Sequence, residues 1–171
     1  MVKKILQYPH PVLADKAKPV PDITDEVREL ARDMAETMYV NDGLGLAAPQ
    51  IGECCRLVVM DLTGPKERTG LQVLVNPVII EREGRVVAEE GCLSVDGYRT
   101  EVARAEKVKV KALDLAGNEI VIEADGLTAV CIQHEVDHLD GLLFIDRISR
   151  LKRALFDKKV SKWQKRQKDE D

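Results

Sequence analysis

His134-Glu135-Val136-Asp137-His138 is the stretch on which the fold turns. Two histidines four apart on an α-helix, at about 1.5 Å rise per residue, lie roughly one turn apart on the same face. Both rings can therefore reach one metal ion. Leu127, Val130 and Cys131 precede them at helical spacing, so the two rings sit on the apolar stripe and point inward. A buried imidazole needs a partner. A metal would supply one, and two satisfied core histidines would fit the same spacing. Just upstream the period changes to two. Residues 107–113, Lys-Val-Lys-Val-Lys-Ala-Leu, alternate as a strand with one wet face; residues 114–118 read as a turn, and 119–123 as the returning strand of a hairpin. A hairpin leading into an inward-facing helix predicts an α+β fold, with antiparallel strands packed around a central helix that carries the metal.

The remaining chain fits around this unit. Pro9, Pro11, Pro19 and Pro21 predict an extended N-terminal wrap. Thr24 can cap a helix on which Val27, Leu30, Ala31, Met34 and Met38 form one apolar face, ended by Asn41-Asp42-Gly43. Residues 56–62 and 72–80 read as strands, with Asn76-Pro77 predicting a break or an edge position in the second. Residues 85–88 read as a short strand. Beyond Asp146 a final amphipathic helix is expected. Leu151, Leu155 and Phe156 would face the domain, and Trp163 would cover the helix end.

The chemistry follows from Glu135. A glutamate between two metal-binding histidines stands close enough to move a proton on a water that the metal activates, which is the pattern for hydrolysis of an amide or ester. A catalytic site usually has three protein ligands and one open position. The downstream third ligands of metalloproteases are missing, since Phe144 stands where one class needs a histidine and Glu170 is the only later glutamate. Upstream, Glu90-Gly91-Cys92-Leu93-Ser94 puts a cysteine in a short polar turn. A thiolate is a strong ligand for zinc or ferrous iron, so Cys92, His134 and His138 form the candidate ligand set. Cys131, three residues before His134, could be a fourth ligand; that would close the site and make the metal structural rather than catalytic. Gly43 and Gly45, on either side of Leu44, would let a peptide backbone come close.

Three segments in order resemble the peptide deformylase family of bacterial type. They are Gly43-Leu44-Gly45-Leu46-Ala47-Ala48-Pro49-Gln50-Ile51-Gly52, Glu90-Gly91-Cys92-Leu93-Ser94, and Gln133-His134-Glu135-Val136-Asp137-His138-Leu139-Asp140-Gly141. The opening Ile5-Leu6-Gln7-Tyr8-Pro9 is also similar, and the likeness runs over about residues 5–148, leaving 149–171 as a C-terminal helix and charged tail of one domain. The resemblance implies a metal hydrolase that removes the formyl group from N-formylmethionine of nascent polypeptides. It implies one divalent metal, ferrous iron in the cell, with zinc, nickel or cobalt also able to bind. It gives Glu135 the proton transfers, and Gln50 and the Leu93 backbone N–H the stabilisation of the oxyanion. Leu44, Val130 and Cys131 would line the methionine pocket, with Gly43, Gly45, Gly91, Gly97 and Arg99 along the bound chain. Where the family commonly has proline after Cys92-Leu93-Ser94-Val95, this chain has Asp96, which restores an N–H and adds charge at the rim. Another metal-dependent amidase using the same helix is the main rival.

Composition narrows the function classes. The chain has 171 residues, 44% hydrophobic and 33% charged, with a net charge of −4, which speaks against sequence-specific nucleic-acid binding. Cys54, Cys55, Cys92 and Cys131 do not form a secreted disulfide framework, and a reducing cytoplasm is expected. No apolar run approaches the ~18 residues of a membrane span. Lys158, Lys159, Lys162, Lys165, Arg166 and Lys168 form a basic run, read either as a solvated face or, by the resemblance, as a ribosome-docking surface.

Overall fold

The computed structural model describes residues 1–170. Helix α1 spans Asp25–Val40, and Thr24 accepts a hydrogen bond from the Val27 N–H at its start, as the capping pattern predicts. Strands β1 (Gly45–Ala47), β2 (Leu57–Met60) and β3 (Gln72–Glu83) follow, with the helical turn α2 (Gly64–Glu67) between the last two. Next come β4 (Val86–Cys92), β5 (Val95–Arg104), β6 (Lys107–Leu113) and β7 (Glu119–Asp125). Helix α3 spans Gly126–Leu139 and α4 spans Arg150–Glu170. One antiparallel sheet has the order β1-β2-β3-β6-β7, and β4 and β5 form a separate hairpin.

Strand β2 is buried along its whole length because both faces of the sheet are covered. Val58 and Met60 pack with Ala129, Ile132 and Val136 of α3, while Leu57 and Val59 pack with Met34 and Met38 of α1. The period of two thus divides one strand between two cores. A third core joins the β4–β5 hairpin to α4 through Val95, Val102, Phe144, Phe156 and Val160. The expected α+β architecture is present, with α3 at its centre.

Five local expectations need correction. The short strand at 85–88 extends to Cys92, and it pairs with β5, for which the sequence pattern gave no strand. Arg99 pairs with Gly91 and Val95 with Cys92, and Asp96 to Tyr98 bulge out between these two pairs. Asn76-Pro77 marks a break and no edge: β3 is central in the sheet, and a bulge absorbs the proline, with Asn76 at φ 52°. On α4, Leu151 and Leu155 are 72% and 56% exposed, whereas Phe156 and Val160 are buried. Arg153 sets this rotation by donating to the Ile145 carbonyl, Asp146 and the Tyr8 hydroxyl. Trp163 remains exposed and covers no helix end. Leu127, in the first turn of α3, also faces solvent.

Candidate active site

The site lies where β1, the β4–β5 hairpin and α3 meet. Cys92 ends β4, and the turn after it aims its thiol back at α3. The Ser94 N–H points to the Cys92 sulfur at 3.4 Å. His138 Nε2 lies 3.3 Å from that sulfur, and ligand atoms of Cys92, His134 and His138 all fall within 4.8 Å of one another. Among the described residues this is the one group of three so placed, and Cys131 is not in it. Cys131 lines the cavity instead, its sulfur 4.0 Å from the Leu44 carbonyl. The four-ligand closed site is thereby disfavoured.

The histidines are held by different means. Glu90 Oε1 lies 2.9 Å from His134 Nδ1, so that nitrogen donates and Nε2 keeps its lone pair for the cluster. Burial raises the Glu90 carboxyl, but hydrogen bonds from Arg104 and His134 outweigh it and hold it at about 2. Arg104 donates Nε and Nη2 to Glu90 and Nη1 to Asp137, and Arg147 grips Asp137 from outside with two more bonds. Asp137 was only a spacer in the sequence motif. Nothing in its spacing indicates that it anchors the far end of this chain of ion pairs.

Glu135 is buried, and burial pushes its carboxyl up to about 7, against the pull of His134 and Arg104. Its Oε2 has no hydrogen-bond partner among the described residues. A Cβ on Gly45 would stand 2.7 Å from Glu135 Oε1, so the glycine is what lets β1 pass beside this carboxylate. The orphaned oxygen, the soft sulfur and the two imidazoles together fit a divalent ion such as zinc or ferrous iron.

Gln50 is almost fully buried. Its Oε1 accepts from the Ala47 N–H at 2.9 Å, and its Nε2 reaches Ser94 Oγ at 3.1 Å and the Cys92 sulfur at 3.6 Å. A cavity of about 540 Å³ opens above the cluster. Gly43, Leu44, Gly45 and Gln50 form one wall, and Gly91, Cys92, Leu93, Gly97 and Arg99 another. Val130, Cys131, His134 and Glu135 close it from α3, with His138 set behind. Arg99 donates to Glu89 rather than to Asp96. The Asp96 N–H, which a proline would lack, points to Gln7 Oε1 at 3.3 Å, while Gln7 Nε2 donates to the Leu93 carbonyl at 2.7 Å. One side chain of the N-terminal wrap thus clips both ends of the turn that carries Cys92.

Comparison with known proteins agrees with this geometry. The family model for polypeptide deformylase matches residues 2–154. The chain belongs to the peptide deformylase family. A peptide deformylase of Neisseria gonorrhoeae is 50% identical over 161 residues, covering 94% of this chain and 95% of the relative. The crystal structure of a peptide deformylase from Legionella pneumophila superposes with a TM-score of 0.90 at 45% identity, covering 98% of both chains. A peptide deformylase from Synechococcus elongatus, solved in complex with actinonin, has a TM-score of 0.88 at 43% identity, covering 92% of this chain and 88% of that one. Family membership makes the chain a hydrolase and implies a divalent metal.

Proposed function

We propose that this peptide deformylase family member removes the formyl group from N-formylmethionine at the start of nascent polypeptides, releasing formate, in the cytoplasm. The observation that carries the reading is Glu135, buried and unpartnered beside the Cys92, His134 and His138 cluster on the floor of a cavity. Those three residues would hold one divalent metal, ferrous iron in the cell. When bound, it supplies Lewis acidity and makes hydroxide available near neutral pH.

The protein's own groups account for the rest. Glu135 accepts the proton as water attacks the formyl carbon, and delivers it to the departing amine nitrogen, a poor leaving group unless protonated. Gln50 Nε2 and the Leu93 N–H donate to the oxyanion. The Ala47 N–H holds the Gln50 carbonyl oxygen, which fixes the amide with its donor end toward Cys92. Leu44, Val130 and Cys131 make an apolar pocket for the methionine side chain. The backbone at Gly43, Gly45 and Gly91 lies open to a chain in extended conformation, with Gly97 and Arg99 at its exit. Formyl is the smallest acyl group, so close packing around the Cys92, His134 and His138 cluster would admit it and reject larger ones.

Residues 5–148 would carry this chemistry as one unit, with α4 appended through Phe156 and Val160. Lys158, Lys159, Lys162, Lys165, Arg166 and Lys168 on α4 would dock on the ribosome. The test is release of free amine from formyl-Met-Ala-Ser and acetyl-Met-Ala-Ser by protein loaded with ferrous iron without oxygen, alongside Glu135→Ala. Formyl-selective release that the variant loses by at least ~10²-fold is expected. Equal release from both substrates would replace this reading with a broader amidase. No release despite one bound metal would make the site non-catalytic.

A further inference from the structure

Helix α3 stands between two cavities. His134 and Glu135 face the first. Gln133 and Asp137, four apart on another face of the same helix, line the second, a hollow of about 560 Å³ bounded also by Ile79, Gly84 and the end of β5. Four arginines converge on it: Arg82, Arg85, Arg104 and Arg147.

Their hydrogen bonding is incomplete. A guanidinium carries five N–H donors. Arg104, with a side chain only 3% exposed, uses one from each nitrogen, on Glu90 and Asp137, and so keeps two. Arg147 uses two on Asp137 and keeps three. Arg82 and Arg85 at the mouth are exposed, and neither has an ion-pair partner among the described residues. The nearby carboxylates do not cancel this set. Asp137 and Glu90 are taken up by the two inner arginines and His134. Glu106 approaches the rim, its Oε2 3.0 Å from the Cβ position on Gly84. Glu81 and Glu83 line a neighbouring hollow, which Arg82 also borders. Among the residues lining the cavity, four arginines stand against one carboxylate, Asp137, with Arg104 buried and Arg147 half exposed.

We propose that this second cavity is an oxyanion site that takes a phosphate group. Guanidinium forks match the oxygens of such an anion in pairs, and several of them converging favour a multiply charged tetrahedral acceptor over a single carboxylate. Arg104 and Arg147 supply the floor, and Arg82 and Arg85 close over the outer oxygens. The site lies two hydrogen-bonded pairs from His134, through Arg104 and Glu90.

The phosphate group has two sources, free inorganic phosphate or the phosphodiester of an RNA. Calorimetric titration of the full-length protein, at low ionic strength, with inorganic phosphate and separately with a short RNA hairpin distinguishes them. Saturable one-to-one binding of phosphate is expected. The Arg82→Gln/Arg85→Gln double variant should weaken it at least tenfold, and Glu106→Gln should tighten it severalfold. The double variant should keep its circular dichroism spectrum and its deformylation rate, because both arginines are exposed and lie outside the catalytic cavity. RNA that binds with the same dependence and displaces phosphate would support the site and assign the source to a phosphodiester. Binding that does not saturate, or that is unchanged in the double variant, would overturn the proposal and leave only diffuse attraction to surface charge.

Discussion

Gln50 owes its orientation to both ends of its amide. The Ala47 N–H fixes the oxygen, so the nitrogen must face Cys92 and Ser94. Gln50→Ala should lower kcat by ~10²–10³-fold with a small change in KM, measured on formyl-Met-Ala-Ser, because loss of one oxyanion donor typically costs that much. Gln50→Glu should not restore the rate, since an ionised carboxylate can only accept. Glu90 acts one step further out, on the ring orientation of His134. Glu90→Gln should weaken metal affinity by ~10–100-fold, read by competition with a chelator, since partners that orient a metal-binding histidine have effects of this size. The Asp96 N–H and Gln7 form a link that the proline common in the family would not allow.

At the scale of elements, α4 is fastened at a few points rather than along a broad face. Phe156 touches Tyr8 and Tyr98, with ring centroids at 5.5 and 4.6 Å, and Val160 follows one turn later. Phe156→Ala should destabilise the protein by about 3–5 kcal/mol in urea unfolding, the usual range for emptying a buried aromatic site. Leu151→Ala and Leu155→Ala, on the exposed face, should stay within ~0.5 kcal/mol. The helical pattern turned Leu151 and Leu155 to the domain together with Phe156, whereas the fold buries Phe156 and Val160 and leaves the two leucines exposed. Arg153 makes the choice by reaching Asp146 and Tyr8, a contact between residues far apart in the chain.

Across the whole molecule, one buried pair spans α1 and the end of β2. Tyr39 donates to Asp61 Oδ2 at 2.6 Å, and Asp61 also accepts from Thr63. Burial first, then the bond to Asp61, pushes the Tyr39 hydroxyl up from 10 to about 12. The folded state therefore holds this proton more tightly, so the stabilisation is full below pH 10 and is lost as the pH rises to about 12. Burial raises the Asp61 carboxyl, but hydrogen bonds from Thr63 and Tyr39 outweigh it and lower it. Its contribution is present above the ordinary aspartate range and is lost as the pH falls below it. Tyr39→Phe should flatten the fall in melting temperature between pH 10 and 12 and weaken the protein at neutral pH. An unchanged alkaline limb would show that another group controls it.

Local sequence determined what repeats at short range. The alternation of Lys107 to Leu113, the cap at Thr24, the apolar face of Met34 and Met38, and the inward stripe that carries His134 and His138 are all visible in neighbouring residues, because helix and strand periods are local properties of the backbone. So was the candidate metal set, once Cys92 was placed beside the helix by its motif. Tertiary structure alone decided the rest. Arg99 to Arg104 became strand because β4 lay alongside to pair with them, Asn76-Pro77 stayed central because a bulge took up the misfit, and Arg104 and Asp137 became supports of His134 because folding brought β5 against α3. These outcomes depend on partners tens of residues away, and the free energy of burying a charge or pairing a strand is set by those partners rather than by the residues next in line.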